Sequence, residues 1–202
     1  MRLMPEFRQR LQVLQMLNYV DDGRAVLLKG RVARELNTVT CSLLATEIIF
    51  DNALDTLEPE EIVAMFSCLV FEEKGRQVTE PSLTPTLQAC HQKLQETAKF
   101  VLGIQRECCV DVTEQEYMKN INIGLMEVVF EWGRGLPFSD ICTLTDVQEG
   151  TIVRCIIRLD ETCREIKSAA RLIGDSSLFT KMEEASEKIK RDIVFATSLY
   201  VS

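Results

Sequence analysis

The sequence has 202 residues, enough for one domain with a hydrophobic core, or one domain with a small appendage. Apolar residues make up 46% and charged residues 27%, and no apolar run reaches the roughly 18 residues that a membrane span needs, so we expect no membrane partner. The 31 acidic and 23 basic residues give a net charge of −8, a poor basis for the wide basic footprint of a sequence-specific DNA-binding domain.

The N-terminal part of the chain predicts a helix followed by a β-hairpin. Residues 6–18 place leucines at three-residue steps, as on one face of a helix. The Asp-Asp-Gly turn signal at 21–23 then separates two short β-prone stretches, which predicts a hairpin. A short helix over 31–36 follows. We predict that residues 1–36 form a helix-and-hairpin appendage at the end of a preceding domain, and that residues 37–202 form the main domain.

The remainder of the chain predicts helices only. Apolar residues recur at helical spacing, and proline- or glycine-rich loops separate the helical stretches. The main predicted helices cover residues 39–54, 59–75, 84–108, 150–173 and 176–200. The predicted fold class is therefore all-α, a helical bundle, with strands confined to the N-terminal hairpin.

Cysteine and histidine content argues against metal and nucleophilic chemistry. The eight cysteines form no C-x-x-C pair, and His91 is the only histidine, so a zinc site is not expected. A catalytic Ser–His or Cys–His pair would need His91, whose neighbour Cys90 points about 100° away on a helix. We predict no catalytic residue, no bound metal, and reduced thiols that pack as small hydrophobes, typical of a cytosolic or nuclear protein.

Charge is distributed unevenly along the chain. Residues 37–73 hold eight acidic and no basic residues, whereas residues 150–173 hold five basic and three acidic residues. At about 100° per residue, one face of the 150–173 helix is apolar. That face comprises Ile152, Ile156, Leu159, Cys163, Ile166 and Ala170, and the opposite face comprises Arg154, Arg158, Glu161 and Glu165.

The polar face of this helix has two interpretations. It can be a solvated face in which Arg158 pairs with Glu161, or it can contact nucleic acid through Arg154 and Arg158. Residues 137–159 also have the helix, turn and helix rhythm of a DNA-binding motif. Trp132, at the end of the preceding helix, can stack on a base or pack in the core.

Five long stretches of the sequence are distinctive: GRVARELN, LLATEIIFDNAL, LEPEEIVAMFSCLVFEEKG, GLMEVVFEWGRGLPFSDICTLTDVQEGTIVRCIIRLDETCREIKSAARLIG and KMEEASEKIKRDIVFATSLYVS. Together they resemble the C-terminal DSHCT domain of exosome-associated DExH-box RNA helicases. The resemblance covers roughly residues 20–202. The stretch FDNALDTLEPEEIVAMFS is most similar to the superkiller (Ski-complex, antiviral) branch. The resemblance implies a DSHCT-type helical domain.

The resemblance also implies a function in RNA decay. In this family the helical domain packs against two RecA-like motor domains of an ATP-dependent 3′–5′ RNA helicase, and the three close a ring around single-stranded RNA that is delivered to the exosome. Arg158 matches the arginine of the helix that lies along the RNA, and Glu73 matches a glutamate near the bases. Helix geometry adds Arg154 as a neighbour on the same face.

Further partners follow from the same resemblance. They are the TPR and WD-repeat subunits of the Ski complex and the RNA exosome, reached through the parent helicase. The superkiller branch implies a cytoplasmic protein, and the exosome-adaptor branch a nuclear one. ATP and Mg belong to the motor of the parent helicase.

The motor motifs are missing from this sequence. It has neither a G-x-x-x-x-G-K-[ST] phosphate loop nor a DExH box, so we expect no cofactor and no ATP hydrolysis in this fragment. Two alternatives remain from the residues alone. The chain can be a helix-turn-helix DNA-binding regulator, or a purely structural helical module that binds other proteins.

Overall fold

The computed structural model describes residues 3–72 and 79–191, and this part of the chain folds into ten α-helices. They are α1 Leu3–Met16, α2 Leu28–Glu35, α3 Ser42–Phe50, α4 Pro59–Ser67, α5 Pro85–Glu107, α6 Glu114–Met118, α7 Met126–Gly133, α8 Phe138–Ile141, α9 Glu149–Ile173 and α10 Ser176–Ile189. Two short 3₁₀ turns, Ile123–Leu125 and Cys142–Leu144, precede and follow the pair α7 and α8. The predicted all-α class is confirmed.

The predicted N-terminal β-hairpin is wrong. Within the described residues, the only pairing here is one isolated antiparallel bridge between Val20 and Val26. The turn itself forms, since the Ala25 N–H donates to the Asp21 carboxylate at 2.8 Å. However, the Tyr19 N–H closes the end of α1 by donating to a carbonyl of that helix, and α2 already begins at Leu28. Because the residues before the turn close α1 and those after it lead directly into α2, the pairing does not extend beyond the single bridge.

Gly30 lets α2 lie directly against this loop. A Cβ atom at position 30 would collide with the Tyr19 carbonyl oxygen and with Cγ1 of Val26. Only glycine therefore permits so close an approach of the helix to the loop. The short helix predicted over 31–36 is α2, which begins three residues earlier than predicted, at Leu28. It packs against α3 and α9.

The N-terminal helices share the core of the main domain. Val13 of α1, Leu17 directly after that helix and Val32 of α2 belong to the same cluster of buried apolar side chains as the stripe of α9. Helix α1 packs against α5, and α2 packs against α3 and α9. The division of the chain at residue 36 stays a prediction.

Helix α9 lies at the centre of the packing, in contact with α2, α4 and α10. The six residues of its predicted apolar stripe are each at most 1% exposed, which confirms the predicted buried face. The helix ends at Gly174, whose φ of 82° is the left-handed conformation that favours glycine. Its direction and its rotation about its own axis are thus fixed by apolar burial.

The last helix is shorter than the 176–200 predicted. Helix α10 ends at Ile189, because Lys190 leaves the helical conformation with a ψ of 75°. The carbonyl of Ile189 accepts the indole N–H of Trp132 at 3.0 Å. Arg191 stacks 3.8 Å from the centre of the same indole and donates to the Leu136 carbonyl at 2.8 Å. These contacts draw the chain towards α7, and residues 192–202 lie outside the described part.

Trp132 is a core residue. Its side chain is fully buried, its N–H is bonded to Ile189, and its ring meets Phe138 edge to face at 6.0 Å. A base could not reach the indole without displacing these groups. Of the two interpretations of Trp132, core packing is the correct one.

The buried thiols are poor nucleophiles in the folded protein. Burial raises the pKa of both Cys155 and Cys163 to about 12, and it also raises the pKa of Cys68. Burial acts on the lone histidine in the opposite direction and lowers the pKa of His91, because desolvation disfavours the charged form. Cys109, by contrast, is exposed.

Truncating the buried stripe should destabilise the whole domain. We expect Leu159→Ala to lower the free energy of unfolding by about 2–5 kcal/mol, because the side chain is fully buried and its removal leaves a cavity. Glu161→Ala, on the exposed face of the same helix, is the control and should change it by less than about 0.5 kcal/mol. Urea unfolding followed by circular dichroism measures both, and equal midpoints would contradict the assigned helix face.

Thiol labelling should separate the cysteines by burial. At pH 8 we expect Cys109 to react with iodoacetamide in the native protein, and Cys155 and Cys163 to react only after unfolding, because their thiols stay protonated and covered. Peptide mass spectrometry of native and urea-unfolded samples gives the modified fraction at each site. Rapid native labelling of Cys155 or Cys163 would show that the α9 stripe is not buried.

Candidate nucleic-acid interface

Arg154 and Arg158 lie one helical turn apart on the exposed face of α9. Their side chains line one wall of an open depression of about 420 Å³. The segment that follows α4 also lines it. The other lining residues are Val70, Phe71, Glu72, Thr151 and Cys155. The structure therefore brings together the two arginines that the sequence singled out.

Arg158 is anchored through one edge of its guanidinium group. Its Nε donates to the backbone carbonyl of Thr38 at 2.8 Å, across 120 residues of sequence. The pairing with Glu161 considered from the sequence does not form, and no described carboxylate lies within ion-pair distance of Arg158. Within residues 3–72 and 79–191, its two terminal nitrogens have no hydrogen-bond acceptor. They are available to a ligand in the depression.

Arg154 is held more loosely than Arg158. Its Nη2 donates to the Thr151 hydroxyl at 3.0 Å, one turn back along the same helix. The side chain lies over the start of α9, where a Cβ on Gly150 would be 3.5 Å from its Nη1. Both arginines are exposed, and each uses one nitrogen of its guanidinium group in a hydrogen bond within the domain.

The other basic residues of α9 serve packing instead. Arg164 pairs at 2.5 Å with Asp160, a buried carboxylate that also accepts the Ser186 hydroxyl of α10 at 2.5 Å. Lys167 and Arg171 lie over the ring of Phe179, at 5.3 and 4.9 Å from its centre. Of the five basic residues, Arg154 and Arg158 are the pair that faces the depression. Sequence reasoning missed the buried role of Asp160.

Glu73, which the resemblance places near the bases, lies outside the described residues. Glu72, the residue before it, is described and lines the same depression as the two arginines. The lining of the depression therefore carries charges of both signs.

A helix-turn-helix arrangement is not favoured by the geometry. Helix α8, which would be the first helix of such a motif, spans only Phe138–Ile141 and continues into a 3₁₀ turn. A single turn cannot form the supporting helix that crosses the DNA backbone in that motif. Residues 137–159 therefore do not form a helix-turn-helix motif for binding duplex DNA, although they include Arg154 and Arg158.

The described residues contain neither a metal-binding cluster nor a membrane-spanning helix. No group of three or more His, Cys, Asp or Glu side chains is placed to hold a metal ion in residues 3–72 and 79–191. None of the helices described here combines the length and apolar character of a membrane span.

Comparison with known proteins agrees with these features. The model of the DSHCT (NUC185) domain matches residues 23–196. Over 98% of this chain, identity is 48% to "DExH-box ATP-dependent RNA helicase DExH11" of Arabidopsis thaliana, 46% to human "Superkiller complex protein 2" and 38% to human "Exosome RNA helicase MTR4". The chain spans 15–19% of the length of these relatives. The chain therefore belongs to the DSHCT domain family, as its sequence resemblance predicted.

Proposed function

We propose that this chain is the RNA-channel (ratchet) domain of an ATP-dependent 3′–5′ RNA helicase that delivers RNA to the exosome. The observation that carries the proposal is the pair of exposed arginines, Arg154 and Arg158, on a helix whose other face is fully buried. Such a helix presents cationic groups in fixed positions beside an open depression.

The chemistry of these side chains suits a strand of any sequence. A guanidinium group stacks on a base face or pairs with a phosphate, and neither contact depends on base identity. Glu72, which also lines the depression, repels phosphates, so we expect the RNA backbone to lie nearer to the arginines than to this carboxylate. Base edges, which carry hydrogen-bond donors, would then face the carboxylate.

The acidic character of the chain is compatible with this role. A strand threaded through a ring needs only a few contacts from each domain, because the motor domains of the parent helicase supply most of the backbone binding. The relatives named as RNA helicases are far longer than this chain, which leaves room for such a motor. ATP and Mg would bind there, and the proposed RNA-contacting residues here are Arg158, Arg154 and Glu73.

The partners proposed are single-stranded RNA, the RecA-like motor domains of the same parent chain, the TPR and WD-repeat subunits of a Ski complex, and the exosome. Identity is higher to human "Superkiller complex protein 2", at 46%, than to human "Exosome RNA helicase MTR4", at 38%. This difference favours the superkiller branch and hence the cytoplasm over the nucleus.

A protein-interaction module is the second candidate, since a helical bundle with an exposed charged face can bind another protein. Sequencing the coding region upstream of Met1 separates the two. A phosphate loop and a DExH box there favour the helicase, and their absence favours the interaction module.

The 202-residue chain alone should not hydrolyse ATP, because its sequence has no phosphate loop to bind the nucleotide. A coupled phosphate-release assay with and without single-stranded RNA measures this. Turnover that rises with RNA and survives a second purification step would contradict the assignment of catalysis to a separate motor.

Replacing Arg158 by alanine in the full-length helicase should slow the unwinding of an RNA duplex with a 3′ overhang. The melting temperature of the domain should fall by no more than roughly 2–4 °C, since one partly exposed hydrogen bond contributes about 1 kcal/mol. Arg158→Lys should restore the rate only in part, because an ammonium keeps the charge but loses the planar, stacking group.

Arg171→Ala is the matched control for this experiment. It removes the same charge from the same helix, at a residue that lies over Phe179 and away from the depression. Two results would contradict the RNA-channel role. In the first, Arg158→Ala unwinds RNA at the wild-type rate; in the second, Arg171→Ala slows unwinding as much as Arg158→Ala does. Glu73→Ala should slow the same step if both side chains contact the same nucleotides.

A further inference from the structure

We infer that Glu165 is a positioning residue, acting with Thr38 to set the direction of the Arg158 guanidinium group. The inference rests on the proposed function and deepens it. Glu165 is not one of the residues that line the depression, so it would act through Arg158 and not by touching RNA.

Glu165 binds the chain segment that leaves α2. Its Oε2 accepts the Asn37 N–H at 3.0 Å, and its Oε1 accepts the Thr38 N–H at 3.0 Å. The Thr38 hydroxyl also lies 2.6 Å from Oε1. One carboxylate thus receives three donors from two consecutive residues. Hydrogen bonds to a charged acceptor are the stronger kind, so this turn is firmly attached to α9.

The same turn is held by α9 at a second point. Positions 158 and 165 are seven residues apart, two helical turns, and therefore share one face of the helix. Glu165 takes the donors of Thr38, and Arg158 donates to its carbonyl at 2.8 Å. Thr38 is consequently the bridge between the two side chains: Glu165 holds both its N–H and its hydroxyl, which restrains the residue whose carbonyl accepts the Arg158 Nε–H.

A buried pair of hydroxyl groups completes the arrangement. Oγ1 of Thr38 lies 2.6 Å from Oγ1 of Thr162, which in turn lies 3.0 Å from the Arg158 carbonyl. The carboxylate can only accept, so the Thr38 proton goes to Glu165. The single proton of the Thr162 hydroxyl is then shared between the Thr38 hydroxyl oxygen and the Arg158 carbonyl. The hydroxyl protons of Thr162 and Thr38 can therefore both be donated in the direction of Glu165, whose carboxylate is the final acceptor.

The anchor matters because an unrestrained arginine samples many rotamers. With Nε tied to Thr38, the plane of the guanidinium group is fixed and its terminal nitrogens are directed away from the anchor. Without Glu165 the turn at 37–38 loses all three of its bonds to this carboxylate, and the carbonyl that holds Nε is no longer fixed. The charge of Arg158 would remain, but its orientation would not.

The first test observes the anchor directly. In the 202-residue chain, we expect Glu165→Gln to shift the Arg158 Nε–Hε signal in a ¹⁵N NMR spectrum and to speed its exchange with solvent by about two- to tenfold, the change expected for one weakened hydrogen bond. Glu161→Gln, an exposed residue on the same face, is the control and should leave the signal in place. An unchanged Arg158 signal in Glu165→Gln would overturn the inference.

The second test asks whether Glu165 acts through Arg158. In the full-length helicase we expect Glu165→Gln to slow duplex unwinding about two- to tenfold, and the double variant with Arg158→Ala to be no slower than Arg158→Ala alone. Additive losses in the double variant would show an independent structural role and overturn the inference. Thr38→Ser, which keeps the hydroxyl, should unwind like the wild type, and Thr38→Val should be slower.

The two tests separate this inference from the proposed function. If Glu165→Gln frees the Arg158 signal but Arg158→Ala unwinds RNA normally, the positioning network exists and the RNA-channel role fails. If Arg158→Ala slows unwinding but Glu165→Gln changes neither the signal nor the rate, the RNA-channel role stands and the positioning role fails.

Discussion

Burial of one face of α9 is the constraint on which the rest of the domain depends. The six residues of its apolar stripe are at most 1% exposed and pack among α2, α4 and α10. Burial of each isoleucine or leucine of the stripe contributes about 1.5–3 kcal/mol, whereas an exposed ion pair contributes about 0–1 kcal/mol. The stripe therefore sets the rotation of the helix. Arg154 and Arg158 face outward because any other rotation would bury them in an apolar core.

The net charge of the chain is a poor guide to its local electrostatics. Several carboxylates of the acidic stretch 37–73 are already paired with basic residues from outside it. Glu47 binds Lys29 at 3.0 Å, Glu60 binds Lys188 at 2.9 Å, and Asp51 binds Lys93. The field near α9 is thus determined by which charges have no partner, and within residues 3–72 and 79–191 the arginines of the depression have no carboxylate partner.

Local sequence signals predicted the helices and the buried face of α9, because the spacing of apolar residues and the glycine at 174 act within a few turns. They could not predict contacts set by tertiary packing. Arg158 binds a carbonyl 120 residues away, and Asp160 is buried because Ser186, 26 residues later, supplies a donor. The predicted hairpin was wrong for the same reason. The turn at Asp21 forms, but the residues on either side of it close α1 and begin α2 instead of pairing as strands.

The arginine at position 158 performs two tasks that a lysine could not combine. A guanidinium group is a planar fork, so one edge can be tied to Thr38 while the other nitrogens stay available. An ammonium carries its three donors on one nitrogen and has no planar face, so a lysine bound to this carbonyl would offer charge without an oriented, stacking surface. For the proposed RNA strand, a fixed and partly open guanidinium group would be a contact that is oriented in advance and does not depend on which base passes it.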